Sequence, residues 1–470
     1  MFRTMAMTLL LTPLLGLLPA CAMQTYEARP IAPEQSAARF GQRSLDDTEL
    51  HNYMVAQGYP ENGFPIKTWG MEELTLAAFF FHPQLEVARA GWQLARTAET
   101  TAARKPDPEL STIGEHHSIP GTIPGGAVSP WTLGFSLGIP IETAGKRAIR
   151  MEHAASLSEA ARIEIGQAAW QIRSRLRGRL SDYHGALQQI SLLERELAIR
   201  REIVQLLQNR LDAGMVSDID LTNSRLQAQK TQQALAAEQG RLPGLRAALA
   251  EAIGLPAQAL ASVSLSTKCA LPASLPDDQL QRAALTNRLD VRAALARYAA
   301  SESKLKLEIA KQYPDITLWP GYAYDQGDNR WSLGLSMILP LLDRNRGPIA
   351  EANAQRELEA RQFYALQTRV IGELDQARTG YQAALDEMAE AGQTLAAQQR
   401  RAMQTERQFE AGYADRLDEV GTRLETLTSE QAVLVAQTRM QRILGTLEDA
   451  MQRPLDDRPL PTVPETPHEP

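Results

Sequence analysis

The chain has 470 residues, 44% of them hydrophobic and 22% charged, and a formal net charge of −7. That composition supplies a packed core and excludes a disordered or collagen-like chain. The acidic balance, with no dense Lys/Arg run, excludes the basic footprint of a nucleic-acid binder.

In chain order, residues 1–20 read as a removable secretory signal, because Arg3 precedes an apolar run from Leu9 to Leu18 and small residues precede Cys21. The run is too short to span a membrane. Leu18-Pro19-Ala20-Cys21 resembles the lipobox of bacterial lipoproteins, in which cleavage leaves Cys21 at the new amino terminus to carry lipid. Ala22 in place of Asp then implies sorting to the outer membrane. The plain alternative is ordinary cleavage close by, with Cys21 a chance thiol. With Cys21 lipidated only Cys269 remains, so no intrachain disulfide is expected. Residues 21–71 read as an N-terminal lipid-anchored segment.

The rest of the chain is written twice. HPQLEVARAGWQLA around Leu85 answers TNRLDVRAALARYA around Leu289; Trp131, Gly134 and Pro140 answer Trp331, Gly334 and Pro340; RLDAGMVSDIDL answers QFEAGYADRLDE. The steady offset of about 200 residues identifies a tandem duplication, repeat one over 72–254 and repeat two over 279–452, joined by a linker over 255–278. A Pro-rich tail over 453–470, which cannot continue a helix, is expected to be disordered.

Each repeat has the same grammar. Repeat one predicts a helix over 72–104, a weak strand near Leu110 to Ile119, a Gly/Pro-rich loop, a strand over 131–141 and a helix over 143–212. A turn at Ala213-Gly214 then sends a helix back to Gly254, with Pro243-Gly244 expected to kink or break it. Repeat two predicts helices over 279–312, 343–411 and 413–450 and strands over 315–324 and 331–341. Ile172, Leu176, Leu180, Tyr183, Leu187, Ile190, Leu193 and Leu197 step by three and four, a seam for side-by-side helices.

The strand WTLGFSLGIPI alternates one greasy face with one small or polar face, and its copy WSLGLSMILPL does the same apart from Ile338. Ten or eleven such residues suit a tilted membrane strand with lipid outside and water inside. Trp131, Trp331, Tyr322 and Tyr324 are placed to anchor at the membrane interface. Four strands cannot close around a pore, and an open edge in lipid is forbidden, so the chain must oligomerise. Eight strands fill with side chains while twelve leave a lumen, which makes a trimer the smallest conducting assembly. The alternative for these segments is a soluble strand pair buried on one face.

The duplicated helix-strand-strand-helix-helix order, the two Ala-Gly turns each followed six residues later by Asp220 or Asp418, and LPLLDRNRGPIAEANA from Leu339 resemble the TolC-like outer-membrane efflux protein family. DRNRG at 343–347 is similar to its metal-cation branch. The resemblance implies a mainly α fold with membrane β. Long coiled-coil-like helices form a trimeric periplasmic α-barrel, joined to a 12-stranded outer-membrane β-barrel with four strands per chain. It further implies a homotrimer that conducts substrates, heavy-metal cations or drugs and other small organics, expelled by an inner-membrane pump through a periplasmic adaptor. Gly214 and Gly412 then mark the tips that meet the adaptor. Asp220 and Asp418 match acidic positions near the periplasmic constriction, placed about a turn and a half into the returning helix, with Arg225 or Arg416 as offsetting donors. The family's second acidic position is Asn223 in one repeat and Gly421 in the other, which weakens any carboxylate ring.

Other readings fare worse. GFSLG at 134–138 fits G-x-S-x-G, but its alternation runs on through Ile139 and Ile141 where a nucleophile elbow must turn into a helix, and no credible triad histidine follows. No phosphate loop and no H-E-x-x-H occurs, so no cofactor, no metal site and no enzymatic activity is expected. His116-His117 reads as ordinary strand or loop surface. A periplasmic structural coiled-coil or adaptor lipoprotein would share the helices and the anchor, and the membrane strands separate the two.

Overall fold

The computed structural model describes residues 24–118, 122–123, 126–266, 280–340 and 342–455. Cys21, the signal segment and the tail beyond residue 455 lie outside them. Two compact units are present. Within the first, α1 (Pro33–Gln42) starts with Pro at its first turn, a position where the missing N–H costs no hydrogen bond.

The second unit begins at Ser44. It opens with α2 (Thr48–Ala56), capped by Asp47, whose side chain accepts from the Glu49 N–H. Next come α3 (Met71–Phe81) and α4 (Pro83–Ala102), which replace the single helix expected over 72–104. The break is at His82, because a residue before proline is pushed out of the helical region, and the His82 ring Nδ1 accepts from Gln84 N–H to cap α4. Residues 44–71 contribute to the core of this unit. Leu50, Tyr53, Met54, Trp69, Leu74 and Phe79 pack with Ile172, Leu176, Leu249 and Ile253 in the largest core of the unit. Trp69 also bridges to Leu265 as a parallel pair, tying the segment to the linker that follows repeat one.

The strands β1 (Glu109–His116), β2 (Thr122–Ile123), β3 (Gly126–Ala127) and β4 (Trp131–Ile141) follow. Then α5 (Lys146–Asp212) runs 67 residues, about 100 Å at 1.5 Å per residue, and α6 (Asp218–Ile253) returns along it. Pro243 neither ends nor interrupts α6. It is exposed, so the carbonyl it leaves unpaired meets solvent instead of core. Repeat two gives α7 (Leu280–Asn287), α8 (Leu289–Ala310), β5 (Ile316–Asp325), β6 (Asp328–Met337), α9 (Arg346–Glu410) and α10 (Arg416–Met451). As in repeat one, the expected single helix is split in two, here at Arg288. β6 stops at Met337, short of the expected 341, because β5 begins at Ile316 opposite Met337 and offers nothing further to pair.

Four of the strands form one antiparallel sheet in the order β1-β4-β5-β6, two hairpins from the two repeats joined along β4 and β5, and β2 pairs with β3 in a separate two-stranded one. Among the helices, α5 packs on α3, α4, α6, α8 and α10, while α9 packs on α7, α8 and α10. The predicted seam on α5 is buried at Ile172, Leu176, Leu180, Tyr183, Leu193 and Leu197; Leu187 turns outward instead. No helix among the described residues is long and apolar enough to cross a membrane.

Candidate conduit: the exposed sheet and the helix turns

The sheet has two unlike faces. In an antiparallel ladder, residues opposite one another share a face. Trp131, Leu133, Phe135, Leu137, Ile139 and Ile141 of β4 align with Tyr324, Tyr322, Leu318 and Ile316 of β5, which align in turn with Trp331, Leu335 and Met337 of β6. Nearly all the large apolar side chains of this face on β4 and β6 are exposed, Trp331 to 82%. An apolar face of that extent in water would be an aggregation hazard, so its natural surrounding is hydrocarbon. The other face carries Thr132, Gly134, Ser136, Gly321, Ser332, Gly334 and Ser336. Ser136 lies in mid-strand, opposite Ser111 and Gly321, and not at a strand-to-helix elbow.

Trp131, Trp331, Tyr322 and Tyr324 gather at one end of the apolar face, beside the hairpin that links β5 to β6. Gln326 and Gly327 make that turn with φ of 50° and 110°, the left-handed pair a two-residue hairpin requires. Tyr322 and Trp331 rings stand 4.9 Å apart, Phe135 and Tyr322 6.1 Å, and His116 and Trp131 4.5 Å. The Tyr322 hydroxyl donates to Asn329 Oδ1 at 2.6 Å, a polar tip on an apolar body as interface tyrosines require. On the polar face His117 Nε2 lies 3.0 Å from Thr132 Oγ1, which donates to Asp325 Oδ1 at 2.7 Å, and Arg330 donates to the other Asp325 oxygen. Among the described residues no group of three or more His, Cys, Asp or Glu is gathered to hold a metal ion.

At the far end of the long helices the two turns are copies in geometry as well as sequence. Gly214 (φ +70°) and Gly412 (φ +79°) close α5 and α9 in the left-handed conformation. Met215 N–H donates to Arg210 O, and Tyr413 N–H to Gln408 O, both at 2.8 Å. Asp220 and Asp418 then stand in the first turn of the returning helices, not a turn and a half along them, as the third residue of a capping box. Asp220 Oδ2 accepts from Ser217 Oγ at 2.6 Å and from Ser217 N–H at 3.2 Å, and these bonds hold its carboxyl below the ordinary range. Asp418 accepts from Asp415 N–H at 3.4 Å. The expected donors are engaged elsewhere. Arg225 donates to Gln208 at 2.7 Å, and Arg416 binds Glu202 at 2.5 Å and Glu419 at 2.9 Å.

Those pairs reveal residues that sequence reasoning missed. Glu202 on α5 receives Arg416 and, at 3.5 Å, Arg423 from α10, while Arg210 on α5 bonds Asp415. They clasp repeat one to repeat two beside the turns. Farther along the same two helices, Trp170 and Ser174 donate to Asp449 at 3.0 and 2.6 Å, and Arg173 and Arg177 converge on Glu448. The only signal for these was the recurrence of opposite charges at helical spacing on the two copies, and it names no partner.

The comparisons agree with this geometry. The model of the outer membrane efflux protein family matches residues 81–255 and 280–451. The cobalt-zinc-cadmium resistance protein CzcC of Cupriavidus metallidurans is 27% identical over 262 residues, which cover 55% of this chain and 60% of that protein. Among solved structures, the outer membrane protein VceC of Vibrio cholerae superposes with a TM-score of 0.67 at 20% identity, covering 82% of this chain and 97% of VceC. The outer-membrane channel OprN superposes with a TM-score of 0.66 at 19% identity, covering 92% of this chain and 98% of OprN. Both repeats, the four-stranded sheet and the long paired helices thus match as one pattern, and the chain belongs to the outer membrane efflux protein family.

Proposed function

We propose that the chain is the outer-membrane exit duct of a tripartite efflux system, a homotrimer through which an inner-membrane pump expels substrate by way of a periplasmic adaptor. The observation that carries this reading is the sheet itself. Its greasy face is exposed across β4 and β6, and β1 and β6 are its edges. Backbone groups at such edges find no partner in hydrocarbon, so the sheet must be closed by further copies, and three copies give twelve strands and an open lumen. Helices of about 100 Å then carry the wall from that barrel across an aqueous space.

Cys21 carries the lipid anchor, and Trp131, Trp331, Tyr322 and Tyr324 seat the barrel at one membrane surface. The turns at Gly214 and Gly412 meet the adaptor. Asp220 and Asp418 ring the periplasmic mouth while capping their helices, six carboxylates in a trimer, favouring cations. The substrate class is a heavy-metal cation; the likeness to a cobalt-zinc-cadmium resistance protein and the DRNRG stretch at 343–347 support it. The duct is passive, so the energy comes from the pump.

Purified protein in planar bilayers tests the duct: unitary conductance steps are expected, and a protein that stays monomeric and silent refutes it. A deletion strain challenged with zinc, cobalt, cadmium and a drug panel tests the substrate. Cation sensitivity supports the metal reading, and drug sensitivity alone moves the cargo to small organic molecules.

A further inference from the structure

The duplication carries a register for the seam between copies. Gly134 and Gly334 are corresponding residues; Gly134 pairs with Ile113 in the first hairpin and Gly334 with Trp319 in the second. Ile113 and Trp319 therefore occupy the same place in their repeats. By the same logic His116, opposite Trp131, corresponds to Tyr322, opposite Trp331, and both pairs bring their rings within 5 Å. One seam inside the chain joins the end of one hairpin to the start of the next, β4 to β5. There Phe135 lies opposite Tyr322, and Gly138 lies under the indole of Trp319.

We infer that β6 of one copy pairs antiparallel with β1 of a second copy as β4 pairs with β5, which sets Ile338 opposite Ile113 of the neighbour, Leu335 opposite its His116 and Met337 opposite its Gly114. The inference rests on the oligomeric duct proposed above and fixes how its subunits join. Three observations carry it. The first is the pleat. Leu335 and Met337 stand on the apolar face, as do His116 and Gly114 through their partners Trp131 and Leu133, so the register joins like face to like face. A slip of one residue would set apolar residues against the lumen.

The second observation is size. Within the chain the indole leaves room for nothing at Gly138, where a Cβ would lie 2.6 Å from Trp319 Cη2. In the corresponding pair the large ring is replaced by Ile113 and the bare glycine by Ile338, so one large and one absent side chain become two of middle size. On its other flank Ile113 already fills the space over Gly134, where a Cβ would lie 3.0 Å from Ile113 Cγ2. The third is exposure. Ile338 is 86% exposed and Ile113 49% exposed, apolar residues on a face that is otherwise small or polar apart from Trp319, and the register gives each the other as its cover. It also explains where β6 ends. β4 continues through Ile141 because β5 lies alongside, and the corresponding residues after Met337 lack only that neighbour. Pairing with β1 of the next copy extends β6 through Pro340.

Cysteine pairs in the full chain, on a Cys269→Ser background, test the register. Opposite residues in a ladder bring their Cβ atoms close enough for a disulfide, whereas diagonal ones stand too far apart. Mild oxidation of Ile113→Cys with Ile338→Cys should shift the monomer band to dimer and trimer on a nonreducing gel. Ile113→Cys with Ser336→Cys, or with Pro340→Cys, should leave it in place. Mass photometry of the unoxidised protein in detergent reports the oligomer independently. A trimer that crosslinks best at 336 or 340, or at none of the three, overturns the register and leaves the duct standing; a monomer overturns both. In a second measurement Ile113→Trp should lower the trimer fraction, and Ile338→Gly in the same chain should restore it by recreating the pair found within the chain. Failure of that restoration overturns the pairing.

Discussion

α5 and α9 are copies of one ancestral helix, 67 and 65 residues long, yet 19 residues of α5 are buried and only five of α9. The difference is one of position. α5 lies in the middle of the helical layer with neighbours on every side, whereas α9 has α10 as its long neighbour and α6 has α5. Two long helices with one flank each in solvent are what a closed ring cut into segments would leave, and the sheet above them has two open edges as well. A duplicated sequence has thus diverged into an interior copy and a boundary copy. Burial, more than similarity, tells them apart.

The largest expected effect breaks the interior copy. Ile172 is fully buried, and Ile172→Ala should cost about 2–5 kcal/mol in denaturant unfolding of the detergent-solubilised chain. Leu358→Ala on the exposed flank of α9 should change that stability by less than about 0.5 kcal/mol while lowering the oligomer fraction by mass photometry. Equal effects of the two would end the contrast.

Next comes the clasp between the halves. Glu448 receives Arg173 and Arg177 in a largely buried setting, so Glu448→Ala leaves Arg173 without its carboxylate and Arg177 with Asp449 alone, and should cost about 3 kcal/mol. The exposed pair Arg439–Glu387 on the boundary helix sharpens the comparison: Glu387→Ala should cost less than about 1 kcal/mol in the same assay.

The turns should behave alike where the helices do not. Gly214→Ala and Gly412→Ala each force a side chain into the left-handed region and should each lower stability by about 1 kcal/mol. A cost at one turn alone would mean that the other is held by something besides its own backbone.

The smallest effect is the dependence on acid. Ser217 holds the Asp220 carboxyl below its ordinary range, so the capping box contributes fully above that range and is lost only as pH falls through the depressed value. Protection factors for hydrogen exchange at the start of α6, taken relative to the intrinsic rate at each pH, should therefore be flat from pH 7 down to about 5 and fall below the ordinary carboxylate range, and Ser217→Ala should move that fall to higher pH. An unchanged onset in that variant would remove the box from the account.

The sequence by itself determined the duplication, the kind of each long element of the two repeats, the alternation that makes β4 a membrane strand, and the glycine turns, because each rests on periodicity or on one residue's backbone freedom. Parity put Trp131 on the greasy face of its own strand, whereas the common face of all four aromatics follows from the register between strands. Only the tertiary structure decided which copy lies inside, because α5 and α9 read alike until their neighbours are known. It decided that Pro243 is harmless, since its cost depends on whether the freed carbonyl meets solvent. It put residues 44–71 into the core and turned Asp220 and Asp418 into caps, which depends on where α6 and α10 begin. The pairings of Glu202 with Arg416 and Arg423, and of Glu448 with Arg173 and Arg177, were also invisible along the chain. An ion pair between residues more than 200 positions apart is set by how two helices lie against each other, and no local pattern records that.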